Sequence, residues 1–196
     1  MKRLFDIFAS GVGLIVLSPL FLIVAVWIKL DSTGPVFYRQ VRVGKGNQDF
    51  KIFKFRTMRI GSDRGSLITV GGRDPRITTS GYFLRKTKID ELPQLINVLI
   101  GDMSLVGPRP EVRHYVNYWT PEQMRVLDVR PGITDPASIR YCNENELLEK
   151  ADDPESFYIN VIMQDKIGLY LDYVDNNGCW RDFQLIFSTV FAIFRD

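Results

Sequence analysis

Two adjacent carboxylates and a nearby arginine are the groups in this chain best suited to chemistry. Asp90 and Glu91 stand at the start of an apolar run, and Arg109 lies between Pro108 and Pro110. The two prolines restrict the backbone, which gives a stiff mount for a planar guanidinium that binds phosphate through two parallel hydrogen bonds. A carboxylate held beside such a phosphate can serve as a nucleophile or as a metal ligand. The pattern therefore indicates phosphate chemistry.

An apolar helix is expected to carry the acid pair. Four residues recur at the i, i+3, i+4, i+7 spacing of one buried face: Leu92, Leu95, Ile96 and Leu99. Two starts are open, since Thr87 could cap the helix or Asp90 could itself be the N-cap. Both place the carboxylates in the first turn, where acids commonly only complement the helix dipole. The same dipole would keep a carboxylate ionised beside a phosphate, so the structural and catalytic interpretations stand side by side.

The N-terminal segment is almost continuously apolar from Leu4 to Ile28. Twenty-five helical residues would extend about 37 Å, which exceeds the bilayer hydrocarbon core of about 30 Å. We therefore predict membrane insertion.

Ser18 and Pro19 interrupt this segment at its middle. Pro19 removes the helical hydrogen bond to the Ile15 carbonyl and favours a kink, and the Ser18 hydroxyl can partly satisfy the freed oxygen. Basic residues flank both ends, so the positive-inside rule places both flanks in the cytoplasm. They are Lys2, Arg3, Lys29, Arg39, Arg42 and Lys45. A re-entrant hairpin meets both demands, and a spanning helix with a tolerated proline is the alternative.

A β-hairpin is predicted next, from residues 35–44 and 48–58, because both stretches are rich in β-branched and aromatic residues and a glycine-containing turn separates them. Its second strand carries Lys51, Lys54 and Arg56. We expect Lys51 and Arg56 to face lipid headgroups. Residues 61–81 then predict a long loop over the site, with at most one short strand at Leu67 to Val70.

Three further segments carry smaller predictions. Arg85 could be a salt-bridge partner of the acids or a phosphate contact. A capping box at Thr120 and Gln123 predicts a short helix that ends near Asp128. The apolar stretch 183–194 is too short to span a membrane, so it should lie in the membrane interface or close the core.

The composition fits one globular domain. The 196 residues are 45% hydrophobic and 24% charged. Residues 1–60 hold ten Lys and Arg against three Asp and Glu, which favours a first third that faces anionic lipid or phosphate. Cys142 and Cys179 are far apart and His114 is the only histidine, so neither a disulfide framework nor a zinc site is indicated. We assign His114 a structural role, and a nucleic-acid surface has little support.

The run DELPQLINVLIGDMSLVGPRPE, with KIFKFRTM upstream and RPGIT downstream, resembles the bacterial sugar transferase family. The resemblance extends from the first apolar segment to about Thr134. It implies a monotopic phosphoglycosyl transferase that moves a sugar-1-phosphate from a UDP-sugar to a polyprenyl (undecaprenyl) phosphate, releases UMP and uses Mg²⁺. Many relatives continue after R-P-G-I-T with Gly-Leu and a glutamine, whereas this chain has Asp135, so the resemblance does not identify the sugar.

Residue roles also follow from the resemblance. It implies that Asp90 is the nucleophile, forms a covalent aspartyl phospho-sugar intermediate and touches the metal, and that Glu91 orients or deprotonates the lipid phosphate. Lys54 matches the lysine of the family's K-F-x-T-M motif, which places it near the active site, and Arg109 would bind phosphate. Family members carry a Ser-Pro break where this chain has Ser18 and Pro19, which favours the hairpin.

The expected fold class is therefore a mostly helical α/β, membrane-associated domain with an N-terminal re-entrant helix-break-helix and interfacial amphipathic helices. Residues 1–30 would form the membrane hairpin and residues 31–196 a catalytic domain on the cytoplasmic face of the inner membrane. Expected partners are a UDP-sugar, polyprenyl phosphate and membrane lipid, with no nucleic acid; a homodimer is left open. The alternatives are a membrane-anchored binding or scaffold protein and a lipid-linked phosphatase.

Overall fold

The computed structural model describes residues 2–62, 74–138, 140–141 and 143–195. Its first element, α1 (Lys2–Asp31), is one helix with Pro19 inside it. The Ser18 hydroxyl donates to the Ile15 carbonyl at 2.7 Å, which is the oxygen that Pro19 leaves without its helical donor. The predicted compensation by Ser18 is thus confirmed, while the predicted break into two helices stays a prediction. By length and composition, α1 is the one helix in the described ranges that could cross a membrane.

Helix α1 is buried only near its ends. Asp6 and Ser10 are buried at one end, and Val24 and Ile28 at the other. These pairs lie 18 residues apart, which is five helical turns, so all four share one face. The residues between them are exposed or half buried, and most are apolar. One face of α1 therefore contacts the rest of the domain at both ends.

Polar contacts hold the N-terminal end of α1. The Asp6 carboxylate accepts a hydrogen bond from the Leu105 backbone N–H at 3.1 Å. Arg3 donates to the Val98 and Leu99 carbonyls at 2.5 and 3.0 Å. Lys2 donates to the Val106 carbonyl at 3.0 Å and forms an ion pair with Asp182.

The C-terminal end of α1 is held by Arg56. Only 4% of this residue is exposed, and its guanidinium donates to the Ser32 carbonyl at 2.8 Å and to the Thr33 carbonyl. The expectation that Arg56 faces lipid headgroups is therefore wrong, because the carbonyls at the end of α1 lack helical donors and a buried guanidinium satisfies them. Asp31 completes this end by accepting from the Ser80 backbone N–H at 2.8 Å.

The predicted hairpin is confirmed. Strands β1 (Phe37–Val43) and β2 (Asp49–Phe55) pair antiparallel, with Tyr38 opposite Lys54. Between them lies a short 3₁₀ turn that places Gly46 and Asn47 at positive φ. Lys51 is exposed, and its position against lipid headgroups stays a prediction.

Helix α2 (Thr79–Lys86) begins inside the stretch predicted as a loop. Thr78 caps it by accepting from the Gly81 backbone N–H at 3.0 Å. Gly81 is needed because a Cβ there would lie 2.0 Å from the Thr57 carbonyl oxygen. The loop is therefore shorter than predicted, and the short strand proposed at 67–70 lies outside the described residues.

Helix α3 (Gln94–Ile100) buries Gln94, Asn97 and Val98, while 38% of Leu99 is exposed, so the predicted buried face is wrong. The reason is that Asn97 extends the hairpin edge: it accepts from the Phe53 N–H at 2.8 Å and donates to the Lys51 carbonyl at 2.9 Å. The apolar stripe is only half buried and packs towards α1 instead of an interior core, with Leu95 beside Gly13.

Strand β3 (Ser104–Val106) pairs parallel with β4 (Gly132–Thr134), and helix α4 (Arg113–Val116) lies between them in the chain. The capping box is confirmed: Gln123 accepts from the Thr120 N–H at 2.9 Å and its own N–H donates back at 3.3 Å. The helix that it begins is 3₁₀ and ends at Asp128.

The C-terminal part is helical. Helices α5 (Glu144–Glu149) and α6 (Pro154–Phe157) are followed by a π turn (Tyr158–Ile162) and by α7 (Met163–Asp175). Together with residues from 112–137 they enclose the largest apolar cluster.

Helix α8 (Cys179–Arg195) packs beside the N-terminal end of α1, with the Phe183 and Phe5 rings 5.5 Å apart. Trp180 and Phe187 are exposed, and the interfacial position of this helix stays a prediction. The described residues thus form a mostly helical α/β domain with two small sheets, as expected.

Candidate functional site

The acid pair lies in a 3₁₀ turn, Ile89–Glu91, between α2 and α3. Thr87 ends α2, and Lys88 then adopts a left-handed backbone with φ of +57°. This conformation is uncommon for a residue other than glycine and is concentrated at functional sites. The apolar helix itself begins at Gln94, after this separate 3₁₀ turn, so the expectation that the carboxylates occupy its first turn is wrong.

Glu91 binds two cations. Arg109 donates one guanidinium nitrogen to each carboxylate oxygen, with one distance of 3.1 Å, and Lys54 donates to Oε1 at 2.8 Å. Burial alone would raise the pKa of Glu91, but Arg109 and Lys54 outweigh it and hold that pKa well below its usual range. Glu91 is therefore a fixed anion. Three predicted site residues are thus in contact: Lys54 from strand β2, Glu91 from the 3₁₀ turn and Arg109 from the segment after β3.

Asp90 is the adjacent carboxylate and is only 7% exposed. No described residue donates a hydrogen bond to its side chain, and its oxygens are not among the fully enclosed atoms that lack a partner. Burial raises its pKa, Lys54 opposes that rise and Glu91 adds to it. A mostly buried carboxylate to which no described residue donates, and whose oxygens are not fully enclosed, suggests a group open to a ligand or a reacting atom.

Arg85 lies in the last turn of α2 and is half buried. Lys54 lowers the pKa of Asp90, and Arg85 lowers it by a smaller amount. The structure therefore places Arg85 near the acids, which agrees with both roles left open for it.

The segment that carries Arg109 is fixed on both sides. The Gly132 N–H donates to the Pro108 carbonyl at 2.9 Å, and Arg42 donates to the Pro110 carbonyl at 3.0 Å. A Cβ on Gly132 would lie 2.1 Å from the Gly107 nitrogen, so glycine permits the close approach of the two chain segments. The predicted stiff mount for Arg109 therefore depends on long-range backbone contacts as well as on proline.

A second buried carboxylate, Asp135, follows strand β4 and was not predicted as a site residue. Only 1% of it is exposed, and its Oδ1 accepts from the Ala137 N–H at 2.9 Å and the Tyr170 hydroxyl at 3.2 Å. Burial raises its pKa, and Arg109 opposes that rise. Asp135 follows β4 as Arg109 follows β3, and residues that follow two paired parallel strands lie at the same edge of a sheet. Strands of three residues are too short to be recognised in the sequence, so this relation was missed.

The described residues contain no group of three or more His, Cys, Asp or Glu positioned to hold a metal ion. Mg²⁺ is commonly bound through one or two carboxylates together with substrate phosphates. Asp90 fits that requirement, because its oxygens are not engaged by hydrogen bonds in the part of the chain described. Glu91 fits it less well, because both its oxygens are bound by Arg109 and Lys54.

Several known proteins are similar to this chain over nearly its whole length. A protein from Klebsiella pneumoniae named UDP-glucose:undecaprenyl-phosphate glucose-1-phosphate transferase is 41% identical over 98% of this chain and 40% of its own length. An Aeromonas hydrophila protein named UDP-N-acetylgalactosamine-undecaprenyl-phosphate N-acetylgalactosaminephosphotransferase is 41% identical over 98% of this chain and 43% of its own length. The chain thus spans about two fifths of these relatives. The exopolysaccharide production protein PSS of Rhizobium leguminosarum bv. phaseoli is 40% identical over 97% of the chain and 93% of its own length.

The model of the family described as bacterial sugar transferase matches residues 1–196, the whole of the sequence. This match includes the buried acid pair, its two cations and the long apolar helix. The chain therefore belongs to the bacterial sugar transferase family.

Proposed function

We propose that the chain transfers a sugar-1-phosphate from a UDP-sugar to polyprenyl phosphate and releases UMP. The observation that carries this proposal is a buried carboxylate, Asp90, that accepts no hydrogen bond from the described residues and lies beside an anion held by Arg109 and Lys54. The names of the relatives support a UDP-sugar donor and an undecaprenyl phosphate acceptor. Those two relatives are equally similar to the chain and are named for different sugars, so similarity does not select the sugar.

In the first step, an Asp90 oxygen would attack the β-phosphorus of the UDP-sugar. The new bond forms as the bond from that phosphorus to the bridging oxygen breaks, and the bridging oxygen leaves on UMP. In the second step an oxygen of polyprenyl phosphate attacks the same phosphorus and displaces the Asp90 carboxylate. The product is a polyprenyl diphospho-sugar, and Asp90 returns to its starting state.

Arg109 and Lys54 would offset the charge of the two phosphate substrates, which otherwise repel the nucleophile. Both cations are held by Glu91, so they remain in place before substrate arrives. Of the two roles considered for Glu91, this arrangement supports orientation over proton transfer, because a carboxylate with a strongly lowered pKa is a weak base.

Mg²⁺ would be held by Asp90 together with substrate phosphate oxygens. When bound, it would supply Lewis-acid neutralisation of the diphosphate.

We further propose that α1 enters and leaves the membrane on the cytoplasmic side of the inner membrane, so that the protein is monotopic. Support comes from the two ends of α1. Asp6 accepts from a β3 backbone N–H near the start of the helix, and Arg56 donates to carbonyls just past its end. A helix that crossed the bilayer would have to break one of these two sets of contacts. Pro19 and the exposed apolar middle of α1 fit a segment bent within lipid.

This topology predicts that tags joined to the two ends of the chain are both reached by cytoplasmic probes and shielded from periplasmic ones. Pro19→Ala should shift molecules towards a spanning form, because it restores the hydrogen bond to Ile15 that the kink removes. Gly11→Ala is the matched control: it also improves helix propensity, and no atom lies within 4 Å of the added Cβ. A periplasmic N-terminus in the unaltered protein would contradict the proposal.

The transferase proposal is tested with the purified full chain, a panel of UDP-sugars, polyprenyl phosphate and Mg²⁺. We expect UMP release with at least one sugar and a polyprenyl diphospho-sugar as product. A lipid-linked phosphatase would give inorganic phosphate or a free sugar phosphate instead. A binding or scaffold protein would give no turnover with any donor.

A further inference from the structure

Two tyrosine hydroxyls of the C-terminal helical region contact acids near Arg109, one in the segment that carries Arg109 and one in the segment after β4. Tyr158 donates to Glu111 Oε2 at 2.5 Å, and Tyr170 donates to Asp135 Oδ1 at 3.2 Å. Both tyrosines are 5% exposed. Glu111 lies two residues after Arg109 and Asp135 directly follows β4, the strand paired with β3. The two contacts therefore reach the Arg109 segment from both of the strands that support it.

Glu111 connects three parts of the fold. Its backbone carbonyl accepts from the Val43 N–H of β1 at 2.8 Å, and its Oε1 accepts from the Val112 N–H at 2.7 Å and from Arg42 at 3.4 Å. The Tyr158 hydroxyl engages the remaining oxygen. Because every acceptor of Glu111 is used, removal of one donor should loosen the backbone two residues from Arg109.

Tyr158 is also the first residue of the π turn that joins α6 to α7. Such turns are uncommon and are concentrated at functional sites, because they redirect a side chain at a cost in regular hydrogen bonding. Here the redirected side chain is a buried tyrosine whose hydroxyl meets Glu111. The irregular turn thus has a specific contact beside Arg109.

The second contact reaches the Arg109 segment through the backbone. The Gly107 N–H, two residues before Arg109, donates to the carbonyl of Thr134, the residue before Asp135, at 3.0 Å. Glu91 raises the pKa of Arg109, and Asp135 also raises it by a smaller amount. The Tyr170 hydroxyl and the Ala137 N–H both engage Asp135 Oδ1, which fixes the carboxyl on the β4 side of Arg109.

We propose that Tyr158 and Tyr170 are positioning residues, which orient Arg109 for the substrate diphosphate through their hydrogen bonds to Glu111 and Asp135. This inference rests on the proposed function, in which Arg109 binds that diphosphate. It assigns the helical region 154–175 a part in donor binding.

The test measures the dissociation constant of UDP by calorimetry, the KM and kcat of UMP release, and the unfolding temperature of the full chain in detergent. Tyr158→Phe and Tyr170→Phe should each weaken UDP binding, by at most about five- to tenfold, which is the limit reached if the whole energy of one buried hydrogen bond is coupled to binding. The change should appear in KM more than in kcat, because Arg109 contacts the donor before and during reaction. A role confined to stability would lower the unfolding temperature and leave the UDP affinity of the folded protein unchanged.

Tyr141→Phe is the matched control. Tyr141 also donates to a carboxylate, Asp165 at 2.7 Å, but neither residue belongs to the Arg109 segment or follows β4. UDP affinity should be unchanged in this variant. Glu111→Gln keeps a side-chain acceptor and should retain UDP binding within about threefold. Glu111→Ala should lose at least as much as Tyr158→Phe, because it also removes the contacts to the Val112 N–H and Arg42.

Wild-type UDP affinity in folded Tyr158→Phe and Tyr170→Phe would overturn the inference, as would an equal loss in Tyr141→Phe. If a phenylalanine variant does not fold, the UDP affinities of Glu111→Gln and Glu111→Ala test the inference instead. Equal UDP affinity in these two variants overturns the inference. If the unaltered protein binds no UDP and releases no UMP, the proposed function fails instead.

Discussion

Asp90→Asn should abolish UMP release, with a loss of about 10³-fold or more, because an amide is a poor nucleophile and a poor metal ligand. The unaltered enzyme, given a UDP-sugar and Mg²⁺ without lipid acceptor, should release UMP in a burst. It should also gain the mass of the phospho-sugar on the peptide that contains Asp90. Rapid-quench measurement of UMP and mass spectrometry of the digested protein would record both signals.

The same substitution should leave the unfolding temperature at neutral pH unchanged or higher. The pKa of Asp90 is raised in the folded state, so the ionised carboxylate is less stable there than in the unfolded chain. That cost is absent at low pH and present above the folded pKa, and an amide removes it. The exposed Asp128 offers a control, since Asp128→Asn should change neither activity nor stability.

Release of UMP only after polyprenyl phosphate is added would contradict the covalent route. Both substrates would then have to be bound together, and Asp90 would act by orienting them or holding the metal. The overall transfer would stand, but the aspartyl intermediate would be wrong.

Arg109→Lys should lower kcat/KM for UMP release about 10²- to 10³-fold while the fold is retained. Lysine keeps the positive charge, but it lacks the planar fork that contacts both Glu91 oxygens and would contact phosphate. Steady-state kinetics together with circular dichroism and the unfolding temperature measure the two expectations. Arg113→Lys is the matched control, because Arg113 makes its hydrogen bonds to Asn47 and Asp49 in the hairpin and should tolerate the change.

An active Arg109→Lys variant would mean that Arg109 only pairs with Glu91. In that case Glu91→Gln and Arg109→Lys should change stability by similar amounts and leave UDP affinity unaltered.

Local patterns predicted the local elements. The hairpin followed from β-branched residues around a glycine turn, the capping box from Thr120 and Gln123, and the freed Ile15 carbonyl from the position of Pro19. Each depends on residues close together in sequence, where propensity and hydrogen-bond geometry decide the outcome.

Long-range packing explains what the patterns missed. A separate 3₁₀ turn, Ile89–Glu91, comes between Lys88 and the apolar helix, and no sequence pattern predicts it, so the start of the helix was misplaced. Arg56 was expected at the surface because charged residues rarely lie buried, yet unsatisfied carbonyls at the end of α1 require a donor. Asp135 and Tyr170 meet across 35 residues, and neither has a sequence signature that indicates the other.

The candidate site itself was predicted in part. The spacing of Asp90, Glu91 and Arg109 indicated phosphate chemistry, and the family motif added Lys54. The structure joins Glu91 to both cations, but it separates the roles of the two acids: one is bound by two cations, and the other accepts no hydrogen bond from the residues described. Sequence position alone could not make that distinction.

Strand β2 connects the site to the long apolar helix. Lys54 reaches Glu91, and two residues later Arg56 holds the carbonyls just past the end of α1. Two extended residues cover about 7 Å, so the strand offers little slack between these two anchors. The depth of α1 in the lipid would therefore determine the distance of Asp90 from the bilayer. Under the proposed function, a polyprenyl phosphate would then meet the nucleophile at one fixed depth of the membrane.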